Sequence, residues 1–582
     1  MFKRSRTERK ISSYDHRAVA DKARASGNWA LAARHYMEML RADQTDRGIW
    51  LQHGHMLKEL GLFGDAAESY GRALALAPND PEIHLQRGFL AKVSGDLPEA
   101  LRCLTRAREL GYQPLEFIER EIRLCTPRRP PATRFRVKTL PLRVYLSSIA
   151  GPPFDENSTK MKSVIGAVNY SYGFAMKGFI AGLQALGIPY TIIRHPEFIP
   201  NIADRSDAEI NLHIGFYPPD DVRFLKGAYN VLHVAWEFER LRAAAEITSY
   251  HAFADPARTL DRAQEIWGTS AFAVGAFSAS GLQRVKLVPT PNLDSGRAPR
   301  RISPPNWAQI EHSASTLGSI RWLPLSIASN FQGSLDKEAQ RRRAELSDVL
   351  FADPEEAPPT IFLSVFNVHD WRKQIRPLIE GFIQYSRINR NAYLLLKVSM
   401  AHQGDNFLNE EMRDQQMIDP GELLGPYVSD RIWMTADVLT REQMHSLYDC
   451  SAFYACTSHA EGQNLPMLEA MARGVVPISV DNTAMADYIR RDNAIIIQSE
   501  QRPFTRRLTS RYGLFGVSTW YTSSDDVFAA LLSATEMESD SYAVRSTAAV
   551  RTVADQFGTE TLRAALDRIV AQVTATNAGE NS

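Results

Sequence analysis

This sequence of 582 residues contains few cysteines and has no formal net charge at pH 7. Its four cysteines, Cys103, Cys125, Cys450 and Cys456, are too few and too scattered for a disulfide framework or a tetrahedral zinc site. The 67 Lys and Arg residues balance the 67 Asp and Glu residues, so no overall field favours nucleic acid as a partner. We therefore expect a multidomain globular protein in a reducing cytoplasm.

Long apolar runs are also missing. No stretch of 18 apolar residues occurs, and the first residues, MFKRSRTERKISSYDHR, are charged, so neither a spanning helix nor a secretory signal is expected. The basic residues of the segment 1–14 suit an anionic membrane surface, although a solvated tail is the favoured interpretation. Peripheral contact with the inner face of a membrane stays open as an alternative.

A 34-residue period marks the first part of the chain. Glycines that suit tight turns recur at this interval, each followed by a small residue and then by a large one on the same helix face. The three sets are Gly27, Ala32 and Tyr36; Gly61, Ala66 and Tyr70; Gly95, Ala100 and Leu104. Pro78 and Pro81 separate one helix pair from the next. This pattern resembles tetratricopeptide repeats and predicts an all-α array of about three units, which offers a docking surface for a protein partner.

From residue 142 onward, short β-branched runs alternate with helical patterns, in two successive series. Such alternation predicts parallel sheets with crossover helices, and ligands bind beyond the carboxyl ends of such strands. The predicted organisation is a basic tail (1–14), repeats (15–125), a linker (126–141), an α/β domain (142–335), a second linker (336–358) and a second α/β domain with a closing helix (359–582).

The stretch SHAEGQNLPMLEAMARGVVPISV, residues 458–480, carries two acids, Glu461 and Glu469. A strand precedes it, and Asn464 with Pro466 predicts the N-cap and first turn of a helix. The backbone N–H groups of 462–465 at this helix start suit phosphate or sugar oxygens. A structural alternative is that Glu469 only favours the helix dipole and that Glu461 is a surface acid.

This stretch resembles the signature of the retaining nucleotide-sugar glycosyltransferases of the GT-B fold, in particular glycosyltransferase family 4. That signature is a Glu, seven residues and a second Glu, within a pattern of the form EG…LP.LEAMA.G.P.I. The resemblance covers most of 142–575 and implies two doubly wound, Rossmann-like domains that face a cleft, after the all-α repeats. It places Glu461 at the donor sugar and Glu469 at the ribose hydroxyls, with Gly462, Gln463, Asn464 and Leu465 contributing to the donor site.

The same resemblance extends to FLSVFNVHDWRKQIRPLIEGF, in which Arg372 and Lys373 follow a predicted strand. It implies that these two cations hold the diphosphate, where they neutralise the charge of the departing nucleotide. Cations at a helix start are otherwise poorly placed, because the helix dipole is positive there. In NYSYGFAMKGFIAGLQALGIPY, Gly173 resembles the glycine loop that approaches the donor phosphate or the acceptor.

Two further segments, VLHVAWEFERL and EIWGTSAFA, resemble family segments that line the acceptor side. They implicate His233, Trp236, Glu237 and Ser270, although a core Trp or a satisfied core His is an equal alternative. In DNTAMADYI, residues 483–485 are candidates for backbone contacts, and a helix cap explains that sequence as well. The acidic pairs Asp220–Asp221 and Asp525–Asp526 lack a strand-end context and are interpreted as loop acids. The resemblance implies a fold that works without a metal, so no metal or other cofactor is expected.

The resulting hypothesis is an enzyme that transfers a sugar from a nucleoside diphosphate sugar to an acceptor hydroxyl with retention of configuration. The resemblance favours a glycan or lipid-linked acceptor in the synthesis of lipopolysaccharide or exopolysaccharide. Two alternatives are a protein glycosyltransferase whose repeats select the acceptor, and an inactive scaffold that binds a partner through its repeats. The sugar, the nucleotide and the acceptor are left open.

Overall fold

The structure is a computed structural model. It describes residues 13–94, 96–125, 140–150, 170–204, 206, 208–219, 221–243, 256–292, 303–325, 343–351, 357–367, 370–399, 430–505, 508–509 and 513–580. Most of the predicted basic tail and of the two predicted linkers, together with Gly95 and Asp220, lies outside these residues. The chain divides into two compact units, one drawn from 1–147, 193–232 and 242–264, the other from 148–192, 233–241 and 265–582.

Seven helices precede the first strand in the described part of the first unit. They are Ser13–Ala25 (α1), Trp29–Ala42 (α2), Arg47–Glu59 (α3), Phe63–Leu76 (α4), Pro81–Val93 (α5), Leu97–Glu109 (α6) and Leu115–Cys125 (α7). Asp46, Asp80 and Asp96 cap the starts of α3, α5 and α6, since each carboxylate accepts backbone N–H groups of the first turn. The predicted helical repeat region is confirmed.

Two of the large residues of the 34-residue pattern, Tyr70 and Leu104, pack against the preceding helix of their pair. Tyr70 and Leu104 are fully buried. A Cβ atom built on Gly54 would lie 2.5 Å from the Tyr70 ring, and one built on Gly88 would lie 2.8 Å from Leu104. Because Gly54 and Gly88 have no side chain, they leave the space that the large residue of the partner helix occupies. Gly27 and Gly61 have positive φ angles of 73° and 75°, as the predicted turns require.

The first sheet has six strands in the order β2-β1-β3-β4-β5-β6. They are Leu140–Ser148 (β1), Tyr190–Ile192 (β2), Ala208–Phe216 (β3), Tyr229–Val234 (β4), Glu265–Gly268 (β5) and Val285–Leu287 (β6), accompanied by helices Tyr170–Ala185 (α8), Pro256–Leu260 (α9) and Ala271–Ala279 (α10). In the first unit, His213 is buried and forms hydrogen bonds with both ring nitrogens. Nε2 lies 2.7 Å from Ser147 Oγ, and Nδ1 lies 2.8 Å from Asn230 Oδ1. Burial lowers the pKa of His213 to about 4, so the ring is neutral.

The second sheet has seven strands in the order β13-β12-β11-β8-β9-β10-β7. They are Leu323–Pro324 (β7), Thr360–Asn367 (β8), Ala392–Ser399 (β9), Ile432–Thr435 (β10), Phe453–Cys456 (β11), Val476–Ser479 (β12) and Ile495–Ile496 (β13). Counted from β8, the order is 3-2-1-4-5-6, which is the doubly wound order of nucleotide-binding sheets. Strand β7 adds an antiparallel edge by pairing with β10. The predicted fold class is confirmed by two doubly wound, Rossmann-like sheets that follow an all-α region.

Helices and a hairpin complete the second unit. They are Trp307–Thr316 (α11), Leu346–Leu350 (α12), Ile375–Ser386 (α13), Arg441–Cys450 (α14), Leu465–Ala472 (α15), Ser524–Thr535 (α16), Ser539–Phe557 (α17) and Thr559–Glu580 (α18), with strands Glu500–Pro503 (β14) and Ser518–Tyr521 (β15). Helix α11 and strand β7 share the core of the second sheet, although the sequence interpretation assigned 142–335 to the first sheet. Among the described residues, no helix combines the length and apolarity that crossing a membrane requires.

Candidate functional site

The candidate site lies where the strand order of the second sheet reverses. Strands β8 and β11 are neighbours there, and the connections that leave their carboxyl ends turn in opposite directions. After β8 the chain forms a short 3-10 helix, Trp371–Lys373, and after β11 it forms the loop 457–464. The topology therefore brings together two segments that are about 90 residues apart in the sequence.

Lys373 and Glu461 form a buried ion pair at this point. The Lys373 Nζ donates to Glu461 Oε1 at 2.6 Å, and the two side chains are 17% and 6% exposed. Ser458 Oγ (2.7 Å) and Asn464 Nδ2 (3.2 Å) donate to the same carboxylate oxygen. Burial lowers the pKa of Lys373, but the carboxylates of Glu461 and Asp370 outweigh it, so this pKa lies above its ordinary value. The contact of Ser458 with Glu461 was not predicted.

Arg372 is held between two other acids. Asp370 Oδ1 and Oδ2 accept from Arg372 Nε (2.8 Å) and Nη2 (2.7 Å), a bidentate pair, while Arg372 Nη1 contacts Glu237. Burial works to raise the pKa of Asp370, but Arg372 and Lys373 outweigh it and hold that pKa at about 2. Asp370 also caps the 3-10 helix through the backbone N–H of Arg372. The sequence prediction missed Asp370, which its place before a helical turn could have indicated.

The loop after β11 ends in the predicted helix. Asn464 is the N-cap of α15 with φ of 56°, its side chain accepts from the backbone N–H of Met467, and Pro466 lies in the first turn. Its neighbours are tied to other segments. The Gly462 carbonyl accepts from the Thr269 hydroxyl (2.6 Å), and the Gln463 amide pairs with both backbone groups of Thr290 (3.0 Å each). Leu465 begins α15, and the donor-binding role of 462–465 stays a prediction.

Thr483 and Ala484, two of the three candidate residues in 483–485, also contact this loop. The Glu461 backbone N–H donates to the Thr483 hydroxyl (2.9 Å), and the Ala484 N–H donates to the Glu461 carbonyl (3.3 Å). Thr483 has a φ of 46°, a left-handed conformation that a β-branched residue adopts only when its surroundings impose it. The backbone of Glu461 is thereby fixed from a second direction.

Glu469 lies in α15 and is half-buried. Its Oε2 accepts from the hydroxyl of Tyr448, a fully buried residue of α14, at 2.8 Å. Tyr448 therefore orients the acid that the family resemblance places at the ribose. Its role was not predicted, because the sequence does not reveal which helix lies opposite α15.

His459, which the sequence leaves without a role, is a structural residue of the loop. Its backbone N–H donates to the Arg372 carbonyl (2.6 Å), its Nδ1 contacts the Trp520 carbonyl, and its ring lies against Trp371 and Tyr521. Burial lowers the pKa of His459 to about 4, so the ring is neutral. His459 thus joins the 3-10 helix of Arg372 to the loop of Glu461.

Four of the predicted residues occupy different surroundings. His233 is buried, with Nε2 3.2 Å from the Val288 carbonyl and its ring against Phe179, and burial lowers its pKa to about 3. Trp236 donates to the Arg240 carbonyl (3.1 Å), and Ser270 caps α10. Gly173 lies in the first turns of α8. Of the predicted acceptor-side residues, Glu237 is the one that contacts a candidate catalytic group, Arg372.

Two cavities adjoin the site. A small one of about 10 Å³ is lined by Lys373, Glu461, Asn464 and the ends of β8 and β11. A larger one of about 420 Å³ is lined by residues that include Gln463, Ala484, Asp487 and Phe557. Asp525 and Asp526, interpreted above as loop acids, lie in the first turn of α16, where Asp526 forms a capping box with Ser523.

Comparisons with known proteins add the following. No protein-family model matches the chain. A stretch of 52 residues, 9% of the chain, is 48% identical to a part of the protein named "Putative glycosyltransferase ORF330" from Acidianus filamentous virus 2 (isolate Italy/Pozzuoli), and it spans 16% of that protein.

Solved structures that resemble the chain include two synthases. Sucrose-phosphate synthase from Thermosynechococcus elongatus is 13% identical, with 75% of this chain and 100% of that chain covered and a TM-score of 0.44. The α,α-trehalose-phosphate synthase (UDP-forming) from Burkholderia vietnamiensis is 12% identical, with 71% and 79% covered and a TM-score of 0.42. The type III secretion chaperone SycD from Yersinia enterocolitica, in complex with a YopD peptide, is 21% identical, with 20% and 95% covered and a TM-score of 0.19. These TM-scores all lie below 0.5, so the similarities establish no shared function.

Proposed function

We propose that the chain is a glycosyltransferase that transfers a sugar from a nucleoside diphosphate sugar to an acceptor hydroxyl, with retention of the anomeric configuration. The observation that carries this proposal is the convergence of Arg372, Lys373 and Glu461 at the strand-order reversal of the second sheet. That position is where doubly wound sheets bind nucleotides. The glycosyltransferase name of the viral relative supports the same reaction class.

The roles follow from charge and position. Arg372 and Lys373 contact the diphosphate and stabilise the negative charge that develops on its leaving oxygen. Glu461 accepts hydrogen bonds from the sugar hydroxyls, and Glu469, oriented by Tyr448, accepts from the ribose hydroxyls. The N-terminal end of α15 adds its positive dipole beside the phosphates.

Retention requires that the new bond forms on the face from which the old bond breaks. The bond between C1 and the phosphate oxygen breaks with its electron pair on the phosphate. The acceptor oxygen then bonds to C1 on the same face, and its proton passes to the released phosphate oxygen. No carboxylate nucleophile is needed, and the two cations supply the charge neutralisation for which other enzymes use a metal.

A donor screen with released diphosphate as the readout tests the proposal. We expect turnover with at least one nucleoside diphosphate sugar and a loss of about 10²- to 10³-fold in Lys373→Ala, the cost of removing one charge-stabilising donor. Arg376→Ala is the matched control, because Arg376 follows in the next helix but pairs with Glu380 at 2.7 Å. Wild-type rates in Lys373→Ala with every donor would refute the assignment. A chain that binds no nucleotide in a Glu469-dependent way would be an inactive scaffold.

For the acceptor, we propose a glycan or lipid-linked hydroxyl in the synthesis of a bacterial surface polysaccharide, lipopolysaccharide or exopolysaccharide. A second candidate is a protein acceptor that the repeat helices of the first unit select. The observation behind it is the helical array itself, because such arrays bind partners on their concave face. Incubation of a cell extract with radioactive donor, followed by separation into lipid and protein fractions, distinguishes the two. Label in the lipid fraction supports the first candidate, and label in the protein fraction supports the second.

A further inference from the structure

One guanidinium nitrogen of Arg372 is not bound by Asp370, the acid of its own loop. Asp370 occupies Nε and Nη2 at 2.8 and 2.7 Å, which fixes the orientation of the guanidinium plane. The third nitrogen, Nη1, is the one that contacts Glu237. A diphosphate that binds Arg372 through Nη1, with the Asp370 contacts intact, therefore competes with Glu237 for that nitrogen.

Glu237 is delivered to this position by a segment with several anchors. Glu239 accepts from Gln501 Nε2 (2.6 Å) and from the Ser518 backbone N–H (3.3 Å), and Phe238 lies edge-on to Phe504. Next to it, a Cβ atom on Gly462 would lie 3.3 Å from Glu237 Oε1, so the carboxylate also borders the loop of Glu461. Backbone and neighbours are held, and the side chain of Glu237 is placed between both halves of the site.

The three acids differ in how firmly they are bound. Glu461 is 6% exposed and accepts from three side chains, and Asp370 holds its arginine with both oxygens. Glu237 is 19% exposed, and within the described part of the chain its ion pair is with Arg372 Nη1. Glu237 is therefore the acid whose release leaves the other contacts of the site in place.

The charges of the cluster favour the release of Glu237 from Arg372. Glu237, Asp370 and Glu461 carry three negative charges against the two positive charges of Arg372 and Lys373. The cluster thus has a surplus negative charge before the donor binds, and this charge repels the anionic diphosphate. With Glu237 turned away, the remaining acids and cations balance.

We propose that Glu237 is a positioning residue that exchanges with the donor diphosphate on Arg372. Before the donor binds, the Glu237 carboxylate occupies Nη1; when the diphosphate takes that nitrogen, the carboxylate turns and accepts a hydrogen bond from the acceptor hydroxyl. The acceptor is then oriented only after the donor has bound, so the exchange imposes an order on the two substrates. This exchange rests on the proposed function, since it assumes that Arg372 meets a diphosphate.

Titration calorimetry with UDP, GDP and ADP tests the exchange. Glu237→Gln keeps the shape of the side chain and removes its charge, so we expect the diphosphate that binds the wild type to bind about tenfold more tightly. Glu239→Gln is the matched control, because Glu239 lies in the same segment but contacts Gln501 and Ser518, and its affinity should equal that of the wild type. A purely structural Glu237 would instead weaken binding when it is replaced.

Kinetics give a second readout. In Glu237→Ala, the KM for the donor should fall while kcat for transfer falls about tenfold, since the diphosphate meets less competition and the acceptor loses its orienting group. If the wild type binds a diphosphate through Lys373 and Glu237→Gln binds it no more tightly, the exchange is refuted and the proposed function stands. If the wild type binds none of the three diphosphates and the donor screen shows no turnover, both are refuted.

Discussion

Replacement of Lys373 by methionine separates the stability of the site from its chemistry. Met has a similar length but no charge, so Lys373→Met leaves Glu461 as a buried carboxylate whose remaining side-chain donors, among the described residues, are Ser458 and Asn464. Removal of one partner from a buried ion pair costs about 3–5 kcal/mol. The Nζ–Oε1 distance of 2.6 Å and the exposed fractions of 17% and 6% place this pair in that class. Against a typical stability of about 5–15 kcal/mol, this loss is large.

The double variant Lys373→Met/Glu461→Gln provides the decisive comparison. Because it has no uncompensated charge, we expect it to recover most of the stability that the single variant loses, as measured by urea unfolding. Turnover of the donor should stay about 10²- to 10³-fold below the wild type, since the cation that is proposed to bind the phosphate is still missing. Stability losses that simply add, or activity that returns together with stability, would refute the assignment of Lys373.

Three further predictions concern other parts of the chain. Since the carboxyl pKa of Asp370 is lowered from 3.8 to about 2, Asp370 contributes about 2 kcal/mol above pH 4 that is lost as the pH falls towards 2; Asp370→Asn should lack this acid slope in unfolding measurements between pH 5 and 2. Burial lowers the pKa of His459 from 6.5 to about 4, so about 3 kcal/mol is lost as the pH falls from 6.5 to 4, and His459→Gln should flatten the stability curve in that range. Gly54→Ala should destabilise the repeats by about 1–3 kcal/mol, because the new methyl group meets the Tyr70 ring, whereas Gly64→Ala, with open space around it, should not; thermal unfolding compares the two.

The sequence predicted those features that depend on local spacing. The 34-residue period located the helix pairs, because each pair repeats the same turn and the same buried face. Asn464 and Pro466 located the start of α15, since capping is a property of adjacent residues. The positions of Arg372, Lys373 and Glu461 after their strands were also visible, because parallel strands end at the same edge of a sheet.

Contacts between distant segments were not predictable in the same way. Glu237 and Arg372 are 135 residues apart, and nothing in the alternation of strands and helices fixes the direction of either side chain. The partner of Glu469, Tyr448, depends on how α14 packs against α15. Helix α11 and strand β7 follow the first series in the chain but pack with the second, because their apolar faces complete its core. These features depend on tertiary packing, which overrides the local pattern.

The meeting of two loops at the strand-order reversal has a consequence for the evolution of the chain. The pair proposed to bind the phosphates belongs to the connection after β8, and the acid proposed to bind the sugar belongs to the connection after β11. The two connections are tied to each other by the Lys373–Glu461 pair and by the backbone bond from His459 to Arg372, so a change in either connection must keep both contacts. We therefore expect a new sugar preference to arise at positions of the segment 457–464 other than His459 and Glu461, and a library restricted to those positions is the economical route to a new donor.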